Sequence, residues 1–155
     1  MQDYTDALAL LRASRANILK QFTPLSSEQV NQIPSGLNNN IIWNAGHVVA
    51  TMELLIYALS GLKTPSDKEF IDRFRKGSKP EGIVSEADRQ LIAERLISSV
   101  DQLEEDLATL DFSNFKAYPT SYGITLSSVG DAIAFNNMHE AMHLGTMIVL
   151  RKFVD

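Results

Sequence analysis

The sequence predicts an all-α protein, a four-helix bundle, on three observations. Four segments carry apolar residues at three- and four-residue spacing over lengths that suit bundle helices. Turn-forming residues gather between those segments, and no stretch alternates in the way a strand requires. At 155 residues the chain is most simply one domain, 1–155, long enough to bury a sizeable core without disulfides or other staples.

The first helix is expected from Asp3 to about Phe22, with Tyr4, Leu8, Leu11, Ile18 and Phe22 on one stripe. Ser14 or Arg15 interrupts the stripe, and the expectation is a slight rotation that lets the polar group reach solvent. Thr23-Pro24 and Ile33-Pro34-Ser35-Gly36 then bracket a single helical turn from Glu28 to Gln32. The second helix should begin near Asn40, after three consecutive asparagines suited to N-capping, and end before Gly61. Stepping from His47 by threes and fours places Asn40, Trp43, Asn44, Thr51 and Leu54 on its inward face.

Between Lys63 and Pro80 the chain is polar, with basic residues interleaved among Asp67, Glu69 and Asp72. Phe70, Ile71 and Phe74 predict a short helix there that covers one end of the core, and the charges read as a solvated face or a phosphate site. Ser85 opens the third helix with Asp88 three residues later. Its stripe of Ile92, Leu96, Val100, Leu103, Leu107 and Leu110 is aliphatic, so this helix is expected to pack the core and supply no ligand. A loop from Asp111 to Leu126 carries Tyr118, Pro119, Tyr122 and Gly123, which either line a mouth or cover the bundle end. The fourth helix opens at Ser127 or Ser128 and runs almost to the end, closed by Arg151 and Lys152 in favourable positions for the helix dipole.

Chemistry concentrates in the fourth helix. His139 and His143 are four residues apart, so their imidazoles share one face and can hold one metal ion between them. The only other histidine, His47, sits on the core side of the second helix, where it reads either as a satisfied core group or as a third ligand. Three imidazoles converging from two helices leave a divalent ion with an open coordination position. Asn44 and Asn136 each precede a ligand by three residues. Each is placed to orient a ligand or substrate, and equally to make a helix-to-helix hydrogen bond. Glu140 projects about 100° around the helix from His139 at about 3.6 residues per turn. It reads as a catalytic general base or as a solvated surface acid.

Composition narrows the function classes. The chain has no cysteine, which excludes disulfides, thiolate ligands and a cysteine nucleophile of its own. Fourteen Lys+Arg against nineteen Asp+Glu give a net charge of -5, so no nucleic-acid partner is expected. Met1-Gln2-Asp3-Tyr4 does not begin a signal peptide, and no apolar run is read as approaching the ~20 residues that span a bilayer. A cytoplasmic protein without a membrane partner is the expectation. His139-Glu140-Ala141-Met142-His143 is also an instance of HExxH, the zinc-peptidase signature. Those enzymes take a third ligand downstream, and Leu144 to Asp155 contains no histidine or glutamate.

Ile42-Trp43-Asn44-Ala45-Gly46-His47 in the second helix, and His139-Glu140-Ala141-Met142-His143-Leu144-Gly145 followed by Leu150-Arg151 in the last, resemble the DinB-like superfamily, including its YfiT-like members. The connection from Leu25 to Pro34 is similar too, and the resemblance runs over nearly the full length. It implies helices in up-down-down-up order, a homodimer, and one divalent metal on His47, His139 and His143, with nickel, zinc and iron as candidates. The superfamily includes thiol-dependent S-transferases, a maleylpyruvate isomerase and proteins to which hydrolysis is ascribed. The resemblance therefore implies a metal-dependent enzyme acting on a small-molecule substrate, with a low-molecular-weight thiol as co-substrate. Thr146 stands where many members have glutamine, which leaves the contacts around the ligands open. A bundle that binds metal for structure or sensing, without turnover, is the alternative.

Overall fold

The computed structural model describes residues 3–154. Met1 and Gln2 of the amino-terminal reading, and Asp155, the acid downstream of His143, lie outside that range. The fold is mostly helical. Its elements are α1 (Thr5–Phe22), α2 (Ser27–Asn31), α3 (Ile41–Ile56), α4 (Lys68–Phe74), α5 (Glu86–Thr109) and α6 (Val129–Leu150), with 3-10 turns at Ala58–Ser60 and Arg151–Phe153. A two-stranded antiparallel hairpin, β1 (Tyr118–Pro119) and β2 (Thr125–Leu126), interrupts the loop that was expected to lack strands. Each strand is only two residues long, too short to leave a period in the sequence.

Helix starts follow local chemistry. The side chains of Asn40, Ser85 and Ser128 accept from the backbone N–H three residues on, at Trp43, Asp88 and Asp131, and so satisfy donors that have no partner within the helix. Ser26 and Gln29 form a reciprocal capping box at α2. Gly61 ends the second long segment in the left-handed region, φ 74°, where a residue without Cβ is unstrained.

Each of α1 and α3 packs against both α5 and α6. Helix α3 is the innermost: from Ile41 to Ala50 every residue is buried. Its low polarity corrects the reading that no apolar run is long enough for a membrane, because Ile41–Ser60 passes by length and hydropathy. Within the fold 83% of that window is covered by protein, so its apolar surface is spent on the core.

The apolar interior divides into two clusters. One includes Ile18, Phe22, Val48, Phe74, Leu96 and Met147; the other includes Leu8, Leu11, Met52, Leu55, Val100 and Phe135. Between them lies a polar layer centred on Arg15, which is fully buried and does not reach solvent as expected. Its Nε and Nη2 donate to the two carboxylate oxygens of Glu140 on α6 at 2.5 and 2.6 Å. The same guanidinium faces the Val48 carbonyl on α3 at 3.3 Å, and the Leu96 carbonyl and Ser99 hydroxyl on α5 at 3.4 Å. One side chain of α1 thus reaches all three other long helices.

A second buried carboxylate, Glu53, accepts from the N–H and hydroxyl of Ser66, both at 2.7 Å. This ties the loop before α4 to α3, and Arg73 joins α4 to Asp88 of α5 at 2.9 Å. Phe70, Ile71 and Phe74 are thereby buried at the end of the core, as their spacing predicts.

Removing one member of a buried ion pair leaves the other charged and unpaired, which costs roughly 3–5 kcal/mol. Glu140→Ala is therefore expected to lower urea-unfolding stability by about that amount. Joint replacement, Arg15→Met with Glu140→Met, is expected to cost far less because neither charge is stranded. A double-mutant cycle by urea denaturation measures both.

Candidate metal centre

Three imidazoles from two helices meet at one place. His47 on α3 and His139 and His143 on α6 each offer a ring nitrogen, and these atoms lie within 4.8 Å of one another. Ring centroids are 5.2 Å apart for His47–His139, 4.7 Å for His47–His143 and 4.5 Å for His139–His143. All three residues are at most 9% exposed. Among the described residues no carboxylate joins this group.

Hydrogen bonds decide which nitrogens are available. His47 Nδ1 is 2.6 Å from the Phe74 carbonyl. A carbonyl only accepts, so that nitrogen carries the proton and Nε2 keeps its lone pair. His143 Nδ1 is 2.7 Å from Asn44 Oδ1. The Asn44 amide is oriented by its NH2 group, which donates to the Asn40 carbonyl at 2.7 Å and to Asn39 Oδ1 at 3.1 Å. Its oxygen is therefore the end that faces His143, and His143 Nε2 is likewise bare. That bare nitrogen lies 3.1 Å from His139 Nε2. Two ring nitrogens this close need a proton or a cation between them.

Electrostatics favour the neutral, ligating form. Burial, with His139 and His47 adding to it, pushes His143 down to about 3, and burial with His47 and Lys76 pushes His139 down to about 4. Burial lowers His47 as well, opposed by its bond to the Phe74 carbonyl. At neutral pH all three imidazoles are therefore uncharged, and in His47 and His143 the proton sits on Nδ1. Neutral nitrogen donors with fixed outer partners suit a borderline divalent ion such as zinc, nickel or iron.

The elements around the triad hold it in place. Trp43 stacks on His47 at 4.6 Å with the rings 13° apart, and its indole N–H donates to Ser78 at 3.1 Å. Gly46 lets α4 approach: a Cβ there would lie 2.5–2.7 Å from three atoms of the Phe74 ring. Gly145 is different, since a Cβ there meets nothing within 4 Å. Of Gly46 and Gly145, only Gly46 marks a close contact.

A cavity of about 580 Å³ opens on His47 and His139. Its walls include Leu54, Leu55 and Phe135, and the β1–β2 turn contributes Tyr118, Thr120 and Tyr122. The aromatic loop therefore lines a mouth. Tyr122 donates its hydroxyl to the Met142 sulfur at 2.8 Å and meets the Phe135 ring edge-on. A larger cavity, 840 Å³, lies between the start of α1, the end of α5 and the start of α6, and no histidine lines it.

Two other residues singled out from sequence lie elsewhere. Glu140 is fully buried, which corrects the reading of a solvated acid. Helix α6 turns it towards Arg15, and its Oε1 also accepts from Asn136 at 2.9 Å. Asn136 thus serves the polar layer and is not part of the cavity wall. The HExxH reading loses its glutamate, because both carboxylate oxygens are occupied by Arg15. Sequence reasoning did not find Phe74, whose backbone carbonyl orients His47, or Lys76 and Lys116 at the cavity. A carbonyl leaves no signal in residue type, and the two lysines are forty positions apart.

The two glycines give a paired test. Gly46→Ala must displace a ring that is only 2% exposed, so a loss of roughly 1–3 kcal/mol is expected from overpacking, together with weaker metal binding as Phe74 shifts from His47. Gly145→Ala is expected to be neutral or to stabilise by up to about 1 kcal/mol, with metal binding unchanged. Thermal unfolding and zinc titration of both variants check this.

The fold is similar to that in a crystal structure of a conserved protein from Enterococcus faecalis, at 14% identity and a TM-score of 0.68, covering 99% of this chain and 98% of that one. At that identity the likeness speaks for the fold alone. No curated protein matches the sequence. The model of the DinB superfamily matches residues 10–147. That span holds all three histidines, the whole of α3 and α6 as far as Met147, and the chain belongs to the DinB superfamily.

Proposed function

We propose that this protein is a metal-dependent enzyme, with one divalent ion on His47, His139 and His143, that acts on a small molecule by transferring a low-molecular-weight thiol to an electrophile or by hydrolysis. The observation that carries the reading is the fixed protonation of His47 and His143. Each is held at Nδ1 by an oxygen acceptor, so Nε2 keeps its lone pair as a potential ligand atom. When bound, a divalent ion there supplies Lewis acidity, which lowers the pKa of a thiol or water.

The chain's own groups perform the remaining tasks. Phe74 and Asn44 set the tautomers of two ligands and their ring orientation. Leu54, Leu55 and Phe135 exclude water from one wall, which strengthens electrostatic interactions inside. Thr51, whose hydroxyl is 3.3 Å from His47 Nε2, is placed to hydrogen-bond a substrate next to the triad. Glu140 acts in this reading as a positioning residue: paired with Arg15, it sets the rotation of α6 and so the direction of His139. Asn136 belongs to the same assembly. No carboxylate lines the cavity, so proton transfer falls to the histidine edge, the hydroxyls or the thiol itself.

The reading extends to the whole chain. We take residues 1–155 as one domain, a four-helix bundle in up-down-down-up order, which the packing of α1 and α3 against both α5 and α6 supports. We also take it to act as a cytoplasmic homodimer without nucleic-acid or membrane partners. The outer side of α6 supports the dimer, with Met138, Met142, Ile148 and Val149 all between 44% and 51% exposed.

Metal content by mass spectrometry on untagged protein tests the centre. About one divalent ion per chain is expected in the wild type, as a single tetrahedral site requires, and little in His47→Ala or His143→Ala. Metal retained without His47 removes the shared centre. If the centre stands, chelation separates enzyme from structural bundle: an enzyme keeps its helical signal without metal, whereas a structural site unfolds.

A further inference from the structure

We propose that the histidine cavity takes a small organic anion, its carboxylate held by Lys76 and Lys116 and its apolar body laid along the leucine wall. The inference rests on reading this cavity as the substrate site and names the chemical class of what enters it. The chain as a whole is acidic, with a net charge of -5, yet among the described residues the cavity wall contains two lysines and no Asp or Glu. The larger cavity has the opposite character, with Asp3, Glu104 and Asp111 in its wall and no cation.

Pairing explains why Lys76 is available. The basic segment before α5 lies among acids that engage three of its cations: Lys68 and Arg75 pair with Asp72, and Arg73 pairs with Asp88 of α5; of the remaining Lys63, Lys76 and Lys79, Lys76 is the one that lines this cavity. Lys76 follows immediately, and among the described residues no carboxylate pairs with it. Lys116 lines the same cavity. Its backbone N–H donates to the Leu59 carbonyl at 2.6 Å, which anchors the segment to the 3-10 turn after α3, and among the described residues its ammonium has no ion-pair partner.

Between the two lysines and the histidines the surface is amphipathic. Leu54, Leu55 and Leu59 form one side, and the hydroxyls of Thr51, Thr120 and Ser121 interrupt the rest. A fully charged polyanion would leave the leucine wall unused, and a neutral apolar molecule would leave two ammonium groups unpaired. An amphipathic carboxylate satisfies both. A volume of about 580 Å³ falls in the range that holds a drug-sized ligand.

The test compares 4-phenylbutyrate with its neutral isostere 4-phenylbutanamide by titration calorimetry, on full-length protein treated with EDTA and on the zinc-loaded form. EDTA-treated wild type is expected to bind the acid about five- to tenfold more tightly than the amide, the range for two solvent-facing charge pairs. The preference should shrink with added salt. Lys76→Gln with Lys116→Gln should abolish it while leaving amide affinity unchanged. Equal binding of acid and amide, or binding of neither, overturns the inference. So does a preference that survives loss of both lysines; if that preference also requires zinc, the ion itself holds the carboxylate and the metal reading stands. Conversely, a lysine-dependent preference in a protein that fails to take up zinc supports the anion site and counts against the metal centre alone.

Discussion

The buried pair of Arg15 and Glu140 is the constraint on which the arrangement depends. Taking two charges out of water costs several kcal/mol per ion unless each is fully engaged. Here the guanidinium spans the carboxylate with two bonds of 2.5 and 2.6 Å and turns its remaining donors to α3 and α5. Any rotation or slide of α6 against α1 would break this geometry. The helix is thereby fixed in the orientation that presents His139 and His143, on the face beside Glu140, to His47. The pair adds less to net stability than its strength suggests, since an apolar substitute could fill the same space. Its contribution is to register, and register is what three ligands drawn from two helices require.

A second chain of contacts fixes the other helix. Glu53 holds Ser66, the loop delivers α4, and the Phe74 carbonyl at the end of α4 accepts a hydrogen bond from the His47 Nδ1–H. Gly46 leaves the gap through which the Phe74 ring approaches. Asn44, oriented by the cap of α3, fixes His143 across the helix interface at 2.7 Å. A candidate metal site is thus prepared by oxygen acceptors on the far side of two imidazoles, and among the described residues no carboxylate joins the three histidines. That leaves the cavity free of negative charge, consistent with lysines at its mouth.

Much of this was legible in the sequence because it is local. Asn40, Ser85 and Ser128 announce helix starts, Gly61 announces a stop, and the spacing of His139 and His143 places both on one face. The residues that failed to declare themselves have partners far along the chain. Arg15 looked like a polar break in an apolar stripe, because Glu140 is 125 positions away; Glu140 looked like a base or a surface acid for the same reason. The hairpin at Tyr118 and Leu126 is too short for periodicity, yet its turn carries Tyr122 to the cavity. Composition also understated α3, whose apolar length reaches that of a membrane span because the helix is covered on nearly all sides.

X-ray absorption fine structure at the zinc edge of the reconstituted protein tests the central claim most directly, since it counts imidazoles at the ion. The account predicts three histidine nitrogens at about 2.0–2.1 Å with at least one exchangeable light donor, and two histidines when His47 is replaced by alanine. Two histidines with a carboxylate in the wild type, unchanged by that replacement, would contradict it.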